Sequence, residues 1–152
     1  MAIQQVSQLT IIEHIRKDHR TTDMAIAELE MRLRKQGDDE LGPVFAPMKK
    51  ELLGHMAAEE QLLYPLLERG ETRDLVADAL KGHAAIRRRL EELDAGGSME
   101  RSEWGRRLEI LKQEIQRHAT DEESEVLPAA QRLLDDGQLR DLGSRFERAE
   151  SE

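Results

Sequence analysis

The amino-acid sequence predicts an all-α protein: an up-down-up-down antiparallel four-helix bundle with a short C-terminal helix. Three observations predict it. Of the 152 residues, 36% are charged, 38% apolar and only 3% aromatic, which suits long Ala/Leu/Glu/Arg-rich helices better than strands, whose preferred residues are β-branched or aromatic. Apolar residues recur in steps of three and four along four long stretches. The chain also repeats itself: His55-Met56-Ala57-Ala58-Glu59-Glu60 returns 63 residues later as His118-Ala119-Thr120-Asp121-Glu122-Glu123, and each copy has a proline ten residues after its histidine, Pro65 and Pro128. A repeat of this length is read as a duplicated helical hairpin of about 64 residues.

The length is that of one domain, taken as residues 1–152, and is enough for a bundle core. The net charge of −9 disfavours nucleic-acid phosphates and anionic lipid as partners, since no basic stripe compensates it. The chain has no cysteine, which excludes disulfides, thiolate metal sites, iron–sulfur clusters and c-type haem attachment together. Metal chemistry here must use nitrogen and oxygen. The opening MAIQQVSQLT lacks the charged start and apolar run of a signal peptide, and no run of 18 apolar residues could span a bilayer. A cytoplasmic location is the expectation.

The first helix is expected over about 9–35, with Thr10-Ile11-Ile12-Glu13 as a capping box, Ser7 as an alternative cap and Gly37 as its stop. Its seam reads Ile12, Ile15, His19, Thr22, Ile26, Leu29, Leu33. Gly42-Pro43 opens the second, over about 43–69, because proline is tolerated in a first turn. That seam is Phe45, Met48, Leu52, His55, Glu59, Leu62, Leu66, and Pro65 is expected to bend the helix beyond its histidine and glutamate. Gly70 ends it, and Thr72 is placed to cap the third helix, about 72–94, with Val76, Ala79, His83, Ile86, Leu90 and Leu93 inside. After an Ala95-Gly96-Gly97-Ser98 turn the fourth helix, about 99–135, carries Trp104, Leu108, Leu111, Ile115, His118 and Glu122 in register. Beyond Gly137, Leu139, Leu142 and Phe146 mark a short helix over about 138–149, expected to be a packing cap without chemistry.

Four histidines and two glutamates, His19, His55, Glu59, His83, His118 and Glu122, therefore lie on the apolar seams. His19 precedes His55 by 36 residues and His83 precedes His118 by 35, so each half supplies a lone histidine and then His-x-x-x-Glu. Four-residue spacing stacks His and Glu a turn apart on one face, where the pair can grip one ion. A single buried histidine is more often a hydrogen-bonded core residue than a ligand. Six such positions differ, because two facing buried carboxylates cost several kcal/mol unless protons or cations neutralise them. A structural His–Glu hydrogen-bond network is the alternative to metal at this point. His14, about 140° round the helix from His19, is read as exposed. Tyr64, close to the face opposite His55, is read as a packing tyrosine, with a phenolate ligand or hydrogen-bond donor as the lesser reading.

These residues, with the flanking Asp18-His19-Arg20 and Glu59-Glu60-x-x-x-Tyr64-Pro65, resemble the hemerythrin-like HHE cation-binding domains over nearly the whole chain. The resemblance implies a four-helix bundle holding two iron ions in a non-haem, oxo- or hydroxo-bridged centre, with Glu59 and Glu122 bridging and the histidines terminal. It implies small ligands: dioxygen, nitric oxide or peroxide. Classical oxygen-carrying hemerythrins have five histidine ligands, two of them four apart on the third helix, but here Arg87 stands four after His83 and Ala79 four before it. The missing ligand would leave open coordination positions, which favour activation of a small oxidant over reversible storage. Three functions are open to such a centre: a binder of dioxygen, nitric oxide or peroxide in sensing or protection, a di-iron peroxidase or catalase-like enzyme, or a metal-stabilised interaction module.

Overall fold

The computed structural model describes residues 9–35, 40–94 and 99–151. Among them every regular element is helical, in the order α1 Ile11–Arg34, α2 Gly42–Ala58, a π turn Glu59–Leu63, α3 Tyr64–Leu67, a 3₁₀ turn Gly70–Thr72, α4 Arg73–Asp94, α5 Arg101–Asp121, a second π turn Glu122–Val126, α6 Leu127–Leu133 and α7 Asp136–Glu150. The expected stop at Gly37, the alternative cap Ser7 and the turn at 95–98 lie outside the described residues. No described helix is long and apolar enough to cross a membrane.

The local signals act where their chemistry requires. Thr10 caps α1 through the expected box: its hydroxyl accepts from the Glu13 amide, and the Glu13 carboxylate accepts from the Thr10 amide. Pro43 stands in the first turn of α2, where its missing N–H costs no bond. Gly70 takes φ +53 between α3 and α4, a conformation that side chains with a Cβ resist. Thr72 does not cap α4 as expected. Its hydroxyl turns back and donates to the carbonyls of Leu67 and Arg69, satisfying the end of the preceding helix instead. Gly137 likewise does not precede the last helix but lies in its first turn, because Asp135 caps α7 in a second box with Gln138.

Helix α5 runs opposite to both α4 and α1. Across α4 and α5, His83 stacks beside His118 at one level while Arg107 donates to the Glu92 carbonyl at another. Across α1 and α5, Lys112 pairs with Glu30 and His19 meets Glu122. The buried apolar residues form two clusters. One gathers Ile11, Ile15, Leu63, Leu67, Ala79, Val126 and the inner face of α7. The other gathers Ile26, Leu29, Met48, Leu52, Ile86, Leu90, Leu108 and Ile115, closed by the edge-on pair Phe45 and Trp104. The six polar seam residues lie between the two clusters along the chain of each helix, so a polar layer is sandwiched by apolar packing.

The two π turns are the main departure from the expected bend beyond the ligands. Tyr64 N–H donates to the Glu59 carbonyl and Leu127 N–H to the Glu122 carbonyl, each five residues back. The widening starts on the glutamates themselves. Each turn ends two residues before a proline, Pro65 or Pro128, whose ring would clash with the carbonyl four residues earlier in a regular helix. Residues five apart in an α-helix point about 140° apart. The wider turn brings Tyr64 round toward the face of Glu59.

Candidate metal centre

The structure brings all six seam residues together. Glu59, His83 and Glu122 are essentially inaccessible, His55 is 4% exposed, and the His19 and His118 side chains are 12% and 10% exposed. All four histidines turn Nε2 toward the two carboxylates. His19 Nε2 is 3.1 Å from Glu122 Oε1, His83 Nε2 3.0 Å from Glu59 Oε1, His55 Nε2 3.3 Å from Glu59 Oε1 and His118 Nε2 3.7 Å from Glu122 Oε2. Two groups result. Glu59, His83, His118 and Glu122 each offer an atom within 4.8 Å of the others, as do His19, His55 and Glu122. Glu122 belongs to both groups.

The halves interlock. His19 of the first repeat meets the Glu122-Glu123 pair of the second, and His83 of the second meets Glu59-Glu60 of the first. Nδ1 of His19 bonds Glu123 Oε2 at 2.6 Å, Nδ1 of His83 bonds Glu60 Oε2 at 2.6 Å, and Nδ1 of His55 bonds Asp18 Oδ2 at 2.7 Å. Such outer carboxylates fix the ring and leave Nε2 free to ligate. Arg87 donates to Glu60 from both terminal guanidinium nitrogens, Nη1 and Nη2, at 2.8 and 3.1 Å. It thus turns to a carboxylate and not toward the centre.

Several buried atoms in this layer have no hydrogen-bond partner among the described residues: His55 Nε2, His118 Nε2 and Glu59 Oε2. Buried polar atoms are rarely left so, because each forfeits its water without replacement. The electrostatics point the same way. Burial opposes charge at Glu59, yet His55 and His83 hold its carboxyl well below the usual range. Burial and the neighbouring Glu59 push Glu122 up to about 7. Burial works against the charged form of His19, His55 and His83, but their carboxylate neighbours raise all three. Burial, aided by the neighbouring His83, His19 and His55, outweighs Glu59 at His118, which is lowered to about 4. Protons thus supply the positive charge that two buried carboxylates need, and cations held by nitrogen and oxygen would replace them. The donor set fits a divalent metal of the first transition row.

Two residues and the last helix stand differently from what the sequence leads one to expect. His14 is buried, at 5%, because α7 lies along α1 and sets Phe146 and Glu147 beside it. Tyr64 is no mere packing residue: the π turn carries its hydroxyl inward to donate to Glu122 Oε2 at 2.6 Å, 3.2 Å from His83 Nε2. Burial, Glu59 and Glu122 keep that phenol protonated. The second repeat has Leu127 at the matching position, so the donor serves one side. Nor is α7 only a cap. Phe146 packs edge-on against the His55 ring at 5.4 Å, and Glu150 Oε2 lies 3.6 Å from His55 Nδ1. Burial raises Glu150 to about 7. Glycines allow the fit: a Cβ on Gly143 would collide with the Leu9 carbonyl, and one on Gly82 would sit 2.7 Å from His118 Nδ1.

Sequence reasoning gave no role at the centre to Asp18, Glu60, Glu123, Glu150, Phe146 or Gly82. The doubled acids Glu59-Glu60 and Glu122-Glu123 were a usable signal, as was a glycine in mid-helix directly before a histidine, where glycine costs about 1 kcal/mol against alanine.

No curated protein and no solved structure matches the chain. The family model described as the Hemerythrin HHE cation binding domain matches residues 10–130, a span that contains all six converging residues and stops before α7. With the repeated His and His-x-x-x-Glu pattern assembled into one buried layer, the chain belongs to the hemerythrin HHE cation-binding domain family.

Proposed function

We propose that the protein is a non-haem di-iron protein that binds dioxygen, nitric oxide or peroxide in sensing or protection, built as an up-down-up-down four-helix bundle. His83 and His118 would hold one ion and His19 and His55 the other, with Glu122 common to both groups and Glu59 3.0 Å from His83 and 3.3 Å from His55. The observation that carries this reading is the convergence of four Nε2 atoms on two buried carboxylates, with three of the buried atoms left without hydrogen bonds. When bound, the metal pair supplies the redox change and the Lewis acidity. The chain supplies the rest: Asp18, Glu60 and Glu123 orient three imidazoles, the apolar clusters on both sides exclude water, and Tyr64 holds a proton 2.6 Å from Glu122. Two histidines per ion, with Arg87 committed to Glu60, would leave each ion fewer protein ligands than iron prefers.

Metal analysis and an optical spectrum of protein purified from its own host test this reading. Iron with absorption that changes on adding azide or peroxide supports it; protein loaded with one ion per chain, or with a ligand-insensitive spectrum, contradicts it. A peroxide-consuming enzyme is the second reading, and the inward phenol of Tyr64 favours it, because a buried proton donor serves turnover more than reversible binding. Sustained hydrogen peroxide consumption that falls in Tyr64→Phe separates the enzyme from the binder.

A further inference from the structure

We propose that the cleft between α4 and α5 is the port through which divalent cations enter the centre, an inference that rests on the two-metal reading above. The cleft encloses about 370 Å³. Small residues in steps of three, Ala79, Gly82 and Ala85, open its α4 wall, and its floor includes His118 and Glu122. Glu122 is the carboxylate common to both ligand groups. His118 is nine-tenths buried, and its Nε2 has no hydrogen-bond partner. Its Nδ1 is bonded by no carboxylate among the described residues and faces Gly82, so this ring can swing without breaking a charged hydrogen bond. The mouth carries Asp78, Glu114, Asp121 and Glu125 against Lys81 and Arg117, a net negative rim that concentrates cations and repels anions.

Besides a pocket of about 20 Å³ among His19, His55 and His118, smaller than one water's share of the liquid, about 30 Å³, two larger clefts meet the centre from behind. The one beside His55, about 240 Å³, is also acidic, with Asp18, Glu51 and Glu150. It ends on the outer nitrogen of His55, where Asp18 holds the ring and Phe146 packs against it. The one beside His19 ends on Glu123, which holds that ring in the same way. An ion arriving by either route meets the back of a clamped imidazole, whereas the α4–α5 cleft leads to an unclamped imidazole and a shared carboxylate.

The test follows Co²⁺ uptake into the metal-free full chain by stopped-flow absorption, with final stoichiometry measured separately. Ala85→Phe fills the cleft from a half-buried position and is expected to slow uptake at least tenfold while leaving the final metal content unchanged. Asp78→Asn with Glu125→Gln, both exposed, is expected to slow it roughly threefold to tenfold at low salt, the difference vanishing near 0.5 M salt as screening removes the attraction. Thr21→Phe, at the mouth beside His55, is expected to change nothing. Uptake within twofold of the parent in folded Ala85→Phe, an unchanged rate in the charge-neutral pair, or slowing confined to Thr21→Phe overturns the port. Failure of the parent to take up Co²⁺ at all overturns the two-metal reading itself and is distinguished by the stoichiometry.

Discussion

Replacing Gly82 with alanine separates a ligand role for His118 from a packing role. The added Cβ would lie 2.7 Å from His118 Nδ1 and 3.4 Å from its Cγ. Ordinary contact is about 3.5 Å, so the ring must withdraw by roughly 0.8 Å, several times the roughly 0.2 Å tolerance of a metal–ligand distance. Without metal, alanine favours the helix by about 1 kcal/mol and crowding costs about 1–3 kcal/mol, a net loss of about 0–2 kcal/mol. In a chain of this length that lowers Tm by only a few degrees. The ion held by His83 and His118 should bind at least tenfold to a hundredfold more weakly, the usual cost of disturbing a ligand's setting, while the ion held by His19 and His55 is spared. Titration of the metal-free variant with Co²⁺, followed by absorption and metal analysis, should show one tight and one weakened step. Two steps at the parent's affinity in the folded variant would refute the reasoning.

Stability of the metal-free protein should fall as pH rises from about 6.5 to 9. His19, His55 and His83 are raised above the usual 6.5 and Glu122 from 4.5 to about 7, so the folded state binds more protons than the unfolded one and loses that advantage as pH passes the folded values. His118, lowered to about 4, acts in the opposite sense but only below 6.5. Denaturant titrations at the two pH values that show equal or rising stability would contradict this. Tyr64→Phe removes the donor to Glu122 and should cost the metal-free protein about 1–3 kcal/mol while both ions are retained; loss of an ion would instead make the phenol a ligand. Glu60→Gln weakens the acceptor that holds His83 at 2.6 Å, so affinity for the ion beside His83 should drop about tenfold to a hundredfold, with unchanged affinity counting against the clamp.

The six converging residues were legible because two independent regularities coincide on them: the internal repeat, and the three-and-four seam on which His19, His55, Glu59, His83, His118 and Glu122 occupy core positions. Helix ends were legible where a cap has a local signature, as at Thr10 and Glu13. Tyr64 was not, because angular arithmetic assumes an unbroken α-helix, and the π turn before Pro65 inserts a residue and shifts the phase of all that follows. His14 and Glu150 were not legible for a different reason. Nothing local to α1 says that α7 will lie along it; that contact depends on Gly143 fitting against the backbone of residues 9–11, a tertiary fact without periodicity. Arg87 was legible as a missing ligand, but its two hydrogen bonds to Glu60 are a contact between helices that no local periodicity announces.

The most direct test of the central claim is the number of ions bound per chain in the parent, Glu59→Ala and Glu122→Ala, measured by metal analysis after anaerobic loading with Fe²⁺. The two-metal account predicts two ions in the parent and loss of more than one equivalent in each variant, because both carboxylates are shared, with His14→Ala retaining both. A parent that saturates at one ion, or glutamate variants that keep two, would contradict it.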